Sequence, residues 1–191
     1  MSEIKFNNKP NTYFSMQHSS NRVSGFISRS VAVVGVVFAL DAVGHMHVLV
    51  TKRSGKMMDE PHKLCVPCGY LDWDETTYQA MIREVYEETS LYLYDFKNFI
   101  IFDNEKQPFT INDSPENNRQ NVSFLYVTFL DFHRAMDKFP LEVENFKTKE
   151  IEYAKWIHVY DIYNTVEDEW AFNHNEVIKQ AISFYNKNLN E

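Results

Sequence analysis

From Ser30 to Leu40 the chain runs Ser-Val-Ala-Val-Val-Gly-Val-Val-Phe-Ala-Leu, an apolar, β-branched stretch. Such a run predicts a strand buried on both faces. Asp41 to Gly44 predicts a turn, and the alternation from Met46 to Lys52 predicts a strand pairing back as a hairpin. After a loop containing Pro61, Lys63 to Val66 reads as a further short strand. The period then changes. Tyr78, Met81, Ile82 and Val85 recur at helical spacing, which predicts a helix over 75–89 with this arc toward the core. Asp72-Trp73-Asp74-Glu75 marks its start as a capping box, with Asp72 at the N-cap, Glu75 reaching back and Asp74 the competing cap. Aromatic-rich strands are predicted over 92–102 and 121–132, and the polar loop between them is long enough to suggest a role. A last strand over 152–159 and a helix over 174–188 complete the pattern. Residues 1–25 read as an N-terminal extension, in which Gln17 to Arg22 is polar and without a period while Tyr13, Phe14 and Met16 could dock; 26–191 reads as one domain. Strands interleaved with two helices give an α/β (α+β) sandwich, one sheet system covered on its faces.

Composition narrows the function. Hydrophobic residues make up 44% of the 191 and aromatics 15%, enough for a real core. The formal net charge of -8 argues against holding nucleic acid by phosphate neutralisation, so no nucleic-acid partner is expected. A nucleotide substrate remains compatible, because it can arrive with its own divalent cation and an acidic site binds that cation. The run from Val31 to Leu40 is about half the length a membrane-spanning helix needs. Met1 to Pro10 carries no signal-peptide pattern, and two cysteines are too few for a disulfide framework. A cytoplasmic protein with no membrane partner is the expectation.

The chemistry concentrates on the first helix. Glu84, Glu87 and Glu88 stand at i, i+3 and i+4, on an arc roughly 120° from the apolar one. Side by side they repel one another by a few tenths of a kcal/mol per pair. A divalent cation would turn that cost into coordination, although three acids alone read first as a solvated helix face, since exposed acids are the norm. The wider spacing separates the two readings. Gly69, five residues, Glu75, seven residues, then Arg83-Glu84-Val85-Tyr86-Glu87-Glu88-Thr89-Ser90-Leu91 resembles the Nudix box in register. A chance match has odds of about one in a million. Ser90 stands where the family has glycine, a left-handed cap position that serine occupies at about 1 kcal/mol. The segment from Glu150 to Ile157 is also similar to a strand that follows the box in many members.

The resemblance implies a Nudix-type α/β/α sandwich with a mixed β-sheet and a pyrophosphohydrolase activity. It implies Glu84 and Glu88 as principal metal ligands, Glu87 assisting, and the Gly69 carbonyl as a further ligand. Arg83 would pair with Glu75 and hold the loop against the helix, so Glu75, Arg83, Glu87 and Glu88 form the implied catalytic set. The metal would be Mg2+, with Mn2+ as the alternative, activating water for attack on phosphorus. For the general base, Glu116, Glu142, Glu144 and Glu150 are candidates beside the box acids.

Other patterns carry competing readings. His62 with Cys65-Val66-Pro67-Cys68 gives H-x-x-C-x-x-C. It reads as buried structural thiols, as a zinc site short of a fourth ligand, or as a redox pair. Structural cysteines are the expectation, because Pro67-Cys68-Gly69 leads into a loop rather than opening a helix. His45 and His47 are expected to face solvent. Trp170-Ala171-Phe172-Asn173-His174 reads as core or a hydrophobic staple, with base stacking the other reading. Phe102, Phe109, Phe124 and Tyr126 are candidates for a base clamp. Ala171 to His174, with Ile178 and Ala181, resembles Nudix members acting on ADP-ribose and their regulator relatives. The substrate expected is therefore a small nucleoside-diphosphate compound, ADP-ribose or a nucleotide sugar first. The alternative is a catalytically inactive Nudix-fold module that senses a nucleotide. A homodimer is compatible with either.

Overall fold

The computed structural model describes residues 12–27, 30–98, 100–103, 106–114, 121–131, 142–143 and 150–188. Its centre is β3 (Ser30–Leu40), the predicted apolar run. β3 pairs in parallel with β9 (Asn121–Leu130) along ten residues, Ser30↔Asn121 to Ala39↔Leu130. On its other edge β3 meets two strands in turn. Phe38–Leu40 pair antiparallel with β4 (Met46–Arg53), while Ala32–Val34 pair with β6 (Cys68–Tyr70). The sheet forks between them, where the Gly35 amide donates to the Pro67 carbonyl at 2.9 Å. With β5 (Leu64–Cys65), β7 (Ile100–Asp103), β8 (Thr110–Asn112), β10 (Glu142–Val143) and β11 (Ile151–His158), the described residues form one nine-stranded mixed sheet.

Alternation along β3 builds two cores from one strand. Val33, Val37 and Ala39 face α1 (Thr77–Thr89), joining Ala80, Met81, Ile82 and Val85. Val34, Val36 and Phe38 face the other way, toward Val177, Ile178, Ala181 and Tyr185 of α3 (His174–Asn188). Phe129 stacks between Phe38 and Tyr185, with centroids 4.6 and 3.6 Å away. Gly35 lets α1 lie close, since a Cβ there would come within 2.9 Å of Val85 Cγ2. The result is the predicted α/β/α sandwich. A short helix α2 (Val159–Ile162) links β11 toward α3, and no described helix is long and apolar enough to cross a membrane.

Local chemistry moved several boundaries. The expected extension contains a hairpin of β1 (Thr12–His18) and β2 (Asn21–Ile27) in full register, with its turn inside the stretch read as aperiodic. Its two-residue turn has Ser19 at φ 53, without the Asn-Gly signature that would reveal it. The N-cap of α1 is Thr76, with Gln79 closing the capping box, rather than Asp72 or Asp74. Asp74 sits at φ 64, which keeps the helix from starting before it, and Glu75 is engaged by Arg83. Leu93–Phe96 form a 3-10 turn that buries Leu93 and Phe96 three apart, so the strand predicted from Tyr92 begins only at Ile100. Ser90 caps α1 at φ 62, the left-handed position where the family has glycine, and its amide donates to the Tyr86 carbonyl at 2.8 Å.

Candidate functional site

The fork between β4 and β6 opens a cavity of about 450 Å³. Its lining includes the acidic arc of α1, β6 with Asp72 after it, and Arg53, Phe172 and His174. Glu84 and Glu88 are buried, with Glu88 only 2% exposed, while the Glu87 side chain is 41% exposed. The spacing read from the sequence therefore becomes a depth gradient, from the rim at Glu87 to the base at Glu88.

Arg83 holds this arc to the loop. Its Nε donates to Glu75 Oε2 at 3.1 Å and its Nη2 to Glu75 Oε1 at 2.8 Å. Nη2 also donates to the Tyr70 carbonyl at 2.9 Å, and Nη1 serves Glu84 at 2.7 Å and Glu87 at 3.0 Å. The Asp72 amide adds a bond to Glu75 Oε1 at 2.8 Å. A rigid planar fork is the only side chain that reaches this many acceptors from one place. The fork holds the Glu75 carboxyl below its usual range.

The buried acids respond the other way. Burial raises the Glu84 carboxyl, and Arg83 only partly opposes it. Glu88 is pushed well above the usual carboxylate range, first by burial and then by the charges of Cys65 and Glu84. Its two hydrogen bonds are long: the Thr51 hydroxyl donates at 3.5 Å and the Cys68 amide at 3.4 Å. A buried carboxylate so weakly served is costly in isolation and favourable beside a cation. Gly69 completes the setting. A Cβ on Gly69 would fall inside the Glu84 carboxylate, so only glycine allows that side chain to lie over the loop backbone. An oxygen-only donor set of this kind fits a hard divalent cation.

Other expectations resolve as follows. Glu150 lines the cavity and is a described candidate for the general base. Glu116 and Glu144 lie outside the described residues, as does the side chain of Glu142. His62 does not join the cysteines; it is exposed and bonds Glu152 Oε1 at 2.9 Å. His45 is exposed as expected, whereas His47 is half-buried, with its ring 5.2 Å from that of His158. The proposed base clamp is not assembled. Tyr126 and Phe124 pack on the α1 core, and Phe102 and Phe109 pack against Phe184 on the opposite face. Trp170 is core, 2% exposed, its indole donating to Thr165 Oγ1 at 2.8 Å. Phe172, two residues on, does reach the cavity, at φ 54 and with the Arg53 guanidinium 4.8 Å above its ring.

Sequence reasoning missed Arg53 and the placement of His174. Arg53 is 7% exposed, and both Nε and Nη2 donate to the Asp59 carbonyl, at 3.2 and 3.1 Å. It ends β4 directly after Lys52, and nothing in that local sequence tells the buried cation from the more exposed one. His174 reaches its site from a segment more than a hundred residues away from the loop it touches.

The cavity thus brings together three carboxylates of α1, the Gly69 backbone and the buried Arg53 in one lining. The chain belongs to the NUDIX family of pyrophosphohydrolases, whose domain model matches residues 29–181. No curated protein matches at a significant level. Among solved structures, the chain is similar to the NUDIX domain of Shewanella oneidensis NrtR complexed with ADP ribose. That likeness has 19% identity and a TM-score of 0.59, over 83% of this chain and 89% of that one. A mutT/nudix family protein from Listeria innocua matches at 21% identity and a TM-score of 0.60, over 84% and 96%. A bifunctional NMN adenylyltransferase/ADP ribose pyrophosphatase from Francisella tularensis, complexed with AMP and a Mn ion, matches at 23% identity. Its TM-score is 0.55, over 82% of this chain and 42% of that one.

Proposed function

We propose that the protein hydrolyses the pyrophosphate bond of a nucleoside-diphosphate compound in a Mg2+-dependent reaction, with Mn2+ as a substitute and ADP-ribose or a nucleotide sugar as the substrate class. The observation that carries this reading is the buried, under-bonded Glu88 beside Glu84, on a helix clamped by Arg83 to the Gly69 loop. Glu84, Glu87, Glu88 and the Gly69 carbonyl would hold the cation. When bound, it supplies a water of lowered pKa and neutralises charge on the departing phosphate. Arg53, which also lines the cavity, would receive a phosphate, and Phe172 beside it would stack on a base or ribose. Glu150, on the rim, is the described acid available to take a proton from water. The catalytic unit is the expected 26–191, less Phe26 and Ile27, which complete β2 of the separate N-terminal hairpin.

The lean toward ADP-ribose is supported by the Ala171–His174 likeness, by the ADP ribose bound to the similar NrtR domain, and by the similar Francisella protein being an ADP ribose pyrophosphatase. It is tested by incubating the protein with ADP-ribose, nucleotide sugars, dinucleoside polyphosphates, NADH and (d)NTPs, each with magnesium and with EDTA, and resolving the products. Magnesium-dependent release of AMP from ADP-ribose is expected. Turnover confined to (d)NTPs would overturn the substrate class. Tight binding of one compound with no turnover of any would replace hydrolysis by sensing.

Gly69→Ala gives a second expectation. The new Cβ displaces the Glu84 carboxylate, the flexible end of a side chain, so the fold should survive. Metal affinity should fall by about tenfold or more, as when the groups positioning a ligand are lost. A Mn2+ titration followed by electron paramagnetic resonance reads this directly, and unchanged affinity would remove Glu84 from the ligand set.

A further inference from the structure

The H-x-x-C-x-x-C pattern predicts structural cysteines, and its competing zinc reading takes His62 as the histidine. In the fold, His174, at the first turn of α3, comes to Cys65 and Cys68, and one ligand atom from each lies within 4.8 Å of the other two. The three come from β5, β6 and α3, so only the folded chain assembles them. All three are sheltered: Cys65 is fully buried, His174 is 4% exposed and Cys68 is half-buried. Two thiols serving merely as small hydrophobes need no imidazole beside them. A buried imidazole drawn from so far along the chain is a polar group that must be satisfied.

The geometry points to a thiophilic metal site at Cys65, Cys68 and His174, of the Zn2+ class, distinct from the carboxylate site and with its open position toward the cavity. Two sulfurs and one imidazole nitrogen are a zinc donor set, and three protein ligands leave a fourth position for water or an exogenous group. A tetrahedral site with Zn–S of about 2.3 Å and Zn–N of about 2.0–2.1 Å spaces two sulfurs and a nitrogen about 3.5–3.8 Å apart, so the cluster need contract by at most about 1.3 Å. Cys68 and His174 line the cavity while Cys65 lies behind them, which sets the direction of the open position. The neighbours fit this use. Thr51 Oγ1 lies 3.1 Å from Cys65 Sγ and donates to Glu88 Oε2 at 3.5 Å, so it stands between the soft site and the carboxylate site. His174 Nδ1 accepts the Val66 amide at 3.2 Å, a bond at the long end of the usual range that coordination through this nitrogen would replace. Oxygen donors do not select zinc over magnesium as thiolates do, so the two sites sort their metals by softness.

The test uses the full chain, reduced and stripped of metal with a chelator, in excess magnesium to occupy the carboxylates. Titration with Co2+ should give one equivalent of a thiolate-to-cobalt charge-transfer absorption in the near ultraviolet, and Zn2+ should bleach it. Zinc should raise the melting temperature and protect both thiols from alkylation in the unaltered protein, a readout that needs no variant. The absorption should be lost in Cys65→Ser, weakened in His174→Ala and retained in Glu84→Gln. Absence of the charge-transfer band together with unprotected thiols in the unaltered protein would overturn the proposal. So would a band that survives Cys65→Ser or disappears in Glu84→Gln. Oxidation of the pair to a disulfide that reductant must reopen before any cobalt binds would not mimic the band, because the titration begins from reduced protein.

Discussion

Glu88→Gln should lower magnesium-dependent turnover by about a hundred- to a thousandfold, or roughly 2.7–4 kcal/mol of barrier, and yet leave the metal-free protein more stable. Both halves come from the same burial. Glutamine has the shape of glutamate, so it can keep the Thr51 and Cys68 bonds while losing the charge a cation would bind. What it also loses is a desolvated carboxylate next to Cys65 and Glu84. The sign follows from linkage. The folded Glu88 binds its proton more tightly than the unfolded chain does, so its contribution to stability is present below an unfolded pKa of about 4.3. It is lost as pH rises through the raised folded value. The variant should therefore melt above the unaltered protein at neutral pH without metal, and the advantage should vanish in acid. Added magnesium should reverse the order, because it stabilises the carboxylate form alone. Steady-state assays and thermal melts at several pH values, with magnesium and with EDTA, read all of this. Full turnover in the variant would remove Glu88 from the metal site. A variant that melts lower at neutral pH without metal would sink the burial argument.

The same tension shows which parts of the molecule were legible in sequence. β3, α1 and α3 announce themselves because burial imposes a period on them, unbroken over Val31–Leu40 and helical at Tyr78, Met81, Ile82 and Val85. The acids of α1 and the Arg83–Glu75 pair lie within one local segment, so their spacing carries their geometry. The rest depends on distant contacts. β6 and β8 have three residues each and exist only because β3 and β9 offer free edges. Thr76 outcompetes Asp72 as the cap because the left-handed backbone at Asp74 and the engagement of Glu75 leave no earlier start. Arg53 reaches the cavity through the fork in the sheet, and His174 replaces His62 because α3 packs across the loop. No local pattern records which histidine a loop will meet.

Arg83→Lys should destabilise the fold by about 1–3 kcal/mol, below the full cost of breaking a buried pair because the Arg83 side chain is 25% exposed. Lysine keeps the charge, so a purely electrostatic role would survive it. What lysine cannot keep is the fork, which serves Glu75 twice and Glu84, Glu87 and the Tyr70 carbonyl once each. Activity should fall as well, by about a hundredfold, because loss of the Tyr70 bond loosens the end of β6 that carries Gly69 and loss of the Glu84 bond frees a proposed ligand. Glu75→Gln should remove much the same stability, and the double variant should be little worse than either single one. That double-mutant cycle isolates the clamp; additivity within about 0.3–0.5 kcal/mol would show that the two residues act independently. A pH series supplies the sign. Arg83 depresses the folded pKa of Glu75, so the pair contributes stability above about pH 4.3 that is lost as pH falls through the lowered value. The Glu75 share of acid destabilisation should therefore shrink in Arg83→Lys, while the opposite trend from Glu88 persists. A charge role and a geometric role part company at this point, since lysine preserves the first and not the second.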